Sequence, residues 1–254
     1  MRLLVVSAAT AMVTFACSSK EGAAPADAGA EGETRPDTFC FTRPVLQFCE
    51  DFDEGPLPAR FETRSESGGA LTVDTTTPAS APSSLLATVT ASATEIGRAR
   101  LEKAFGSGTK YRVFVQMREE QRSAKAAAAV RVLGLAFAAE PTYEVGVATN
   151  ERGEWYGYER RRDEAGAETE GRFPASRALE GQGKWVSVRI DVDVNAAGAG
   201  IMTVRFGSDA VVDHVPIAPP FASAAPTMLL GLDAAGPPHD AWAFRYDNVT
   251  FQVD

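Results

Sequence analysis

The sequence is poor in the residues from which most catalytic and nucleic-acid-binding sites are built. It has two histidines and three cysteines in 254 residues, and no Cys-x-x-Cys pair. Zinc catalysis needs about three protein ligands, so this count argues against it. The Gly-x-Ser-x-Gly elbow of serine hydrolases is also missing. A formal net charge of −9 argues against nucleic acid, which requires a basic face.

No apolar run is long enough to span a bilayer. The run at the start of the chain, Leu3–Phe15, has about thirteen residues, too few for the membrane core. A basic residue before it and a small residue after it predict an export signal over residues 1–16. Cleavage before Cys17 and acylation of that cysteine would resemble a bacterial lipoprotein. An ordinary signal peptide cut at the same bond is the alternative, since Thr14 and Ala16 also suit that peptidase.

Residues 17–38 lack aromatic and large aliphatic side chains, which predicts a disordered tether. Ser18 after the cysteine resembles the sorting rule for outer-membrane lipoproteins. We therefore expect an outer-membrane or cell-surface protein that touches the membrane only through its lipid; a secreted or periplasmic protein is the alternative. With Cys17 acylated, Cys40 and Cys49 remain as a pair that would form a disulfide in an oxidising compartment. A redox or zinc site at this pair is the weaker interpretation.

Residues 39–254 show the period-two hydrophobicity of β-strands with one buried face. In Trp185–Val194 every second residue from Val186 is apolar, while the residues between them are polar. Segment 124–129 is alanine-rich and favours a helix, but the apolar run after it favours a strand from about Ala127. Further strands are predicted over 84–89, 98–103, 111–118, 143–147, 155–160, 201–206, 210–215 and 227–232. Many short strands without alternating helices predict an all-β sandwich or barrel.

The last segment predicts a β-bulge. Trp242, Phe244 and Tyr246 alternate in one phase, and the apolar residues from Val249 onward alternate one step out of phase. A slip of one residue within a strand is what a bulge produces. We expect the irregularity at Asp247-Asn248.

Three motifs occur together along this domain: FCEDFDEG (48–55), GKWVSVRIDVDV (183–194) and YDNVTF (246–251). Their order resembles exported bacterial domains of the concanavalin A-like lectin/glucanase superfamily. The resemblance implies a jelly-roll sandwich of two antiparallel sheets whose first and last strands are neighbours. The superfamily contains lectins, glucan hydrolases and lyases, so the fold alone does not fix the function.

No catalytic residues are predicted. The superfamily resemblance implies that a glycan hydrolase of this fold would carry the motif Glu-x-Asp-x-x-Glu on one strand, and this chain lacks that motif. The acidic run 50–54 has the wrong spacing, and Asp191 and Asp193 fit the wet face of a surface strand. The sequence therefore favours a protein that is not an enzyme, with a divergent glycan hydrolase or lyase as an alternative.

The most ligand-like stretch is 153–162. Tyr156 and Tyr158 share a strand face with Arg160, while Trp155 lies on the other face. Sugars stack on aromatic rings while polar side chains bind their hydroxyls, so these four residues are the predicted ligand site. The alternative is that the aromatic rings pack in the core and the arginines cover an edge strand.

Calcium is the metal hypothesis. Glu50 or Asp53 on the opening strand and Asp247 at the bulge are hard oxygen donors that neighbouring strands would bring together. The alternative is that Asp247 and Asn248 hold the bulge through hydrogen bonds.

The sequence thus predicts a tethered, non-catalytic, monomeric module that binds a glycan or cell-wall polysaccharide. A structural or protein-interaction role in the envelope is a further alternative.

Overall fold

A computed structural model describes residues 39–43, 46–54, 57, 60–125, 128–137, 142–163, 165–177, 179, 181–195, 199–219, 223 and 225–254. The predicted export signal, the acylated Cys17 and the tether lie outside these ranges and stay predictions. Within the ranges, no helix has the length and apolar character needed to cross a membrane.

The described residues form fifteen β-strands. Their bounds are β1 Phe48–Glu50, β2 Thr63–Ser67, β3 Gly69–Asp74, β4 Ser84–Val89, β5 Gly97–Ala104, β6 Lys110–Gln121, β7 Ala129–Phe137, β8 Thr142–Asn150, β9 Trp155–Arg162, β10 Glu168–Pro174, β11 Trp185–Val194, β12 Gly200–Phe206, β13 Asp209–Ile217, β14 Pro226–Ala235 and β15 Trp242–Val253.

The strands build two antiparallel sheets. One sheet has the order β13-β12-β11-β6-β15-β4-β3, with β1 also paired to β15, and the other has the order β10-β9-β8-β7-β14-β5-β2. All strand pairs in both sheets are antiparallel, so the predicted jelly-roll sandwich is confirmed. The first strand pairs with the last, as the superfamily resemblance implied.

The core lies between the inward faces of the two sheets. In β11, Val188, Ile190 and Val192 are at most 1% exposed, while Arg189 between them is exposed. Burying one face while wetting the other produces the alternation seen in the sequence. The strand after the alanine-rich segment begins at Ala129; Ala127 lies outside the described residues.

The bulge in β15 lies where the sequence predicts it. The register of β15 against β6 shifts between Asp247 and Thr250, and Asn248 has a φ of 54°. Tyr246 and Val249 are both fully buried although they are three residues apart. The extra residue therefore keeps both halves of the strand facing the core.

The chain enters the domain across the outer face of the eight-stranded sheet. Phe39 stacks on Phe114 of β6 with ring centroids 6.2 Å apart. The predicted disulfide between Cys40 and Cys49 is present and ties this entry segment to β1. It closes a short loop against the strand that pairs with β15.

Reducing this disulfide is expected to lower the free energy of unfolding by roughly 2.5–3 kcal/mol, from the loop-closure entropy of about ten residues. Urea unfolding with and without reductant measures the difference. The double variant C40S/C49S should match the reduced protein and show no further response to reductant. A reductant effect that persists in the double variant would assign the loss to something other than this bond.

Candidate functional site

The outer face of the seven-stranded sheet is unusually rich in charge. On β5, Arg98 and Arg100 point outward while Ala99 and Leu101 are buried in the core. Arg131 of β7 and Arg160 of β9 lie on the same outer face, because their strands carry the same alternation. Adjacent strands therefore place cations from distant parts of the sequence side by side.

These side chains line a cleft of about 370 Å³, here called the arginine cleft, that crosses the strands from β5 to β10. It contains five arginines and three carboxylates, so it is locally cationic in a chain whose formal net charge is −9. Its lining residues are Ile96, Arg98, Arg100, Arg131, Thr142, Glu144, Arg160, Arg162, Glu168 and Asp233.

Glu144 occupies the buried floor of the arginine cleft and is 3% exposed. It forms an ion pair with Arg160 and accepts a hydrogen bond from the Tyr158 hydroxyl. Arg160 also lies 3.3 Å from Glu168, so one guanidinium joins two carboxylates. These contacts fix the floor of the cleft by charge-assisted hydrogen bonds.

Asp233 of β14 occupies the other end of the floor. Its carboxylate oxygens lie 2.5 Å from Arg98 Nε and 2.7 Å from Arg100 Nη1. Burial of Asp233 raises its pKa, but Arg100 and Arg98 outweigh burial and hold that pKa below its usual value. The pKa of Glu168 is lowered by its hydrogen bond to Arg162. Both groups are ionised at neutral pH, whereas a glycosidase general acid needs a raised pKa.

The structure brings together three of the four predicted ligand residues. Tyr156, Tyr158 and Arg160 share the outer face, as the alternation predicts, and Arg131 lies 5.4 Å over the Tyr158 ring. The two tyrosines are 8% and 1% exposed, so little of either ring is open to a ligand.

Trp155 lies on the inner face. It is 3% exposed and packs edge-on against Phe206 and Phe244, with ring centroids 5.6 and 6.0 Å away. It also borders a second cavity, of about 680 Å³, near the start of β9. Trp155 is thus separated from Tyr158 and Arg160, which belong to the opposite side of the sheet.

The carboxylates of the calcium hypothesis are already engaged by backbone groups. Asp247 accepts hydrogen bonds from the N–H groups of Ala79 and Ser80, each at 2.9 Å, and Glu50 accepts one from Phe52. Asp53 accepts one from Ser83. N–H groups pointing at these oxygens do not suit a cation, and the described residues contain no cluster of metal-ligating side chains able to hold one. Calcium stays a prediction that a chelator experiment tests.

These carboxylates make stability depend on pH. Burial raises the pKa of Glu50 to about 7, of Asp53 to about 6 and of Asp247 to about 7. The folded state then binds more protons than the unfolded state between about pH 4 and pH 7, so stability falls as pH rises through that window.

We expect the free energy of unfolding to fall by at least about 2 kcal/mol between pH 5 and pH 8, measured by urea unfolding. Glu50→Gln should flatten the slope. Glu95→Gln, at an exposed carboxylate that does not act on these three groups, should leave the slope unchanged.

Sequence reasoning missed most of the arginine cleft. Arg98, Arg100, Arg131 and Asp233 resemble ordinary wet-face residues of separate strands. The available signal was the run Arg98-x-Arg100-x-Glu102, which puts three charges on one face. Whether these charges form a cleft depends on which strands become neighbours, and the alternation of polar and apolar residues does not determine strand order.

Solved structures with the same fold were found, although no protein-family model and no curated protein matches the sequence. One is an endo-β-1,4-glucuronan lyase from the fungus Trichoderma reesei, with a TM-score of 0.61 and 11% identity, covering 83% of this chain and 96% of that chain. The cellulose-induced protein Cip1 has a TM-score of 0.58 and 12% identity, with coverage of 82% and 98%.

An alginate lyase in complex with an alginate trisaccharide has a TM-score of 0.54 and 12% identity, with coverage of 82% and 98%. At such identities the likeness shows the fold alone.

Proposed function

We propose that this protein acts on an acidic polysaccharide held across the outer face of the seven-stranded sheet. The observation that carries the proposal is the arginine cleft, in which five arginines face three carboxylates. Arginine's planar fork matches the geometry of a carboxylate, so a polymer of uronic acids fits this chemistry. Two of the structures with the same fold are named as lyases of such polymers, glucuronan and alginate.

Elimination is the reaction that the cleft suits better than hydrolysis. A base takes the proton beside the uronate carboxylate, the electron pair forms a C4=C5 double bond, the C4–O bond breaks, and its oxygen takes a proton. Negative charge develops on the carboxylate, where arginines stabilise it.

Binding without cleavage is the second candidate. Each carboxylate of the arginine cleft is already ion-paired with an arginine, and Tyr158 is 1% exposed with its hydroxyl bonded to Glu144. Carboxylates held in ion pairs and a hydroxyl that already donates a hydrogen bond are not free to transfer protons, so this cleft would bind a ligand without cleaving it. A lectin-like role then uses the same face.

The experiment measures both outcomes. The full chain is mixed with glucuronan, alginate and a neutral β-1,4-glucan, and binding is followed together with the ultraviolet absorbance of the unsaturated uronate product. We expect the protein to bind the two acidic polymers, with an affinity that falls as salt is added. If the protein is a lyase, the ultraviolet absorbance of the unsaturated product should also increase with time. Binding without absorbance selects the second candidate.

A matched pair of variants assigns the binding to this face. Arg98→Met removes a cation from the arginine cleft, and Arg189→Met removes one from the outer face of the eight-stranded sheet. Only the first should weaken binding. Equal affinity for acidic and neutral polymers, or no affinity for either, would overturn the proposal.

A further inference from the structure

Asp233 is the residue on which three arginines of the cleft converge. Its Oδ1 lies 2.5 Å from Arg98 Nε, and its Oδ2 lies 2.7 Å from Arg100 Nη1 and 4.0 Å from Arg131 Nη1. These arginines come from β5 and β7, the two strands that pair with β14 on either side. One carboxylate therefore links three neighbouring strands.

The backbone of β14 is irregular at this residue. The register against β7 shifts between Leu230 and Asp233, and the register against β5 shifts between Leu232 and Ala235. Leu232 and Ala235 are both fully buried although they are three residues apart. Alternation with the buried Leu230 and Leu232 places Asp233 on the outer face beneath the arginines. The bulge beside it returns Ala235 to the core.

The carboxylate is well placed to order the guanidinium groups. The side chain of Asp233 is only 5% exposed, and those of Arg100 and Arg131 are each 15% exposed. A free arginine side chain has rotamer entropy that a ligand would otherwise have to remove on binding. Arg98 uses only Nε with Asp233, and its terminal nitrogens have no partner among the described residues.

We propose that Asp233 is a positioning residue that holds Arg98, Arg100 and Arg131 in place for an anionic group of the ligand. The inference rests on the proposed function, because it takes a uronate carboxylate as that group. Asp233 itself repels the ligand electrostatically, so its contribution is geometric. Asp233 thus has two opposing effects on binding, electrostatic repulsion of the ligand and ordering of the arginines, and mutation can separate them.

Two variants separate them. Asp233→Asn makes the cleft more cationic but loses the ionic anchor, and Asp233→Glu keeps the charge but displaces the anchor. We expect about tenfold weaker binding of a glucuronan oligosaccharide in both variants, as lost preorganisation predicts. Glu102→Gln is the matched control, because Glu102 lies on the same face and pairs with Arg100 alone. Its added positive charge should leave the affinity unchanged or raise it.

A second measurement makes the result independent of the polysaccharide. The Nε–Hε NMR signals of Arg98 and Arg131 should be sharp in the wild type and in Glu102→Gln, and broadened or shifted together in the Asp233 variants. The Arg100 signal is left out of this comparison, because Arg100 Nε donates a hydrogen bond to Glu102. Tighter binding by Asp233→Asn with unchanged signals would overturn the inference. If Asp233→Asn fails to fold, Asp233→Glu decides. If the wild type binds no acidic glycan but the signals collapse as expected, the proposed function fails while Asp233 still orders the arginines.

Discussion

Replacing Arg160 with methionine is expected to lower the free energy of unfolding by about 3–5 kcal/mol. The change leaves Glu144, which is 3% exposed, as a buried carboxylate whose cationic partner is gone. The hydroxyl of Tyr158 still donates to it, but a single neutral hydrogen bond does not replace an ion pair. Urea unfolding at pH 7 measures the loss, and the variant should also lose affinity for acidic glycans.

Arg162→Met is the matched control for this change. Arg162 lies on the same face of β9, is 55% exposed and pairs with Glu168, which is 38% exposed. Exposed ion pairs contribute about 0–1 kcal/mol, so the removal of Arg162 should change the free energy of unfolding very little. The double variant R160M/E144Q should recover much of the stability, because it removes the buried charge along with its partner. Equal losses in the two single variants would show that Glu144 is not the cause.

Replacing Gly146 with alanine is expected to cost about 3 kcal/mol, at the upper end of overpacking effects in a well-packed sheet. A Cβ at Gly146 of β8 would lie 2.8 Å from Gly134 Cα and 2.8 Å from the Tyr158 hydroxyl, and would collide with the Leu133 carbonyl oxygen. The backbone atoms of β7 cannot move aside without breaking the pairing of Gly134 with Gly146. Thermal unfolding measures the effect.

The control is Gly171→Ala in β10, where the nearest atom to a new Cβ is the Glu159 carbonyl oxygen at 3.9 Å. It should be neutral or slightly stabilising, because alanine restricts the unfolded chain. The pair of variants also tests the ligand site, since Gly146 makes room for the Tyr158 hydroxyl beside Glu144. A small loss for both variants would mean that the sheet can relax around Gly146.

The sequence predicted the strands whose two faces differ in polarity. The prediction for β4 was the same as its observed bounds, and β11 and the bulge in β15 were also predicted, because burial of one face imposes a period of two. The edge strand β10 was not predicted. Its sequence, ETEGRFP, is exposed at nearly every position, so no apolar face marks it as a strand.

The candidate site was predictable only within one strand. Tyr156, Tyr158 and Arg160 lie on β9, and the alternation of the sequence is sufficient to place them on a common face. Arg98, Arg131 and Asp233 lie far apart in the sequence and meet only because β5, β14 and β7 are neighbours. Strand order depends on the packing of the whole domain, so local patterns could not reveal the cleft.

The entry segment has a consequence for how the domain faces its surroundings. Phe39 rests on Phe114 behind the eight-stranded sheet, whereas the arginine cleft opens on the far side of the other sheet. An attachment made through the start of the domain would therefore lie on the side of the sandwich opposite the arginine cleft. Long polymers can then approach the cationic side without meeting the point of attachment.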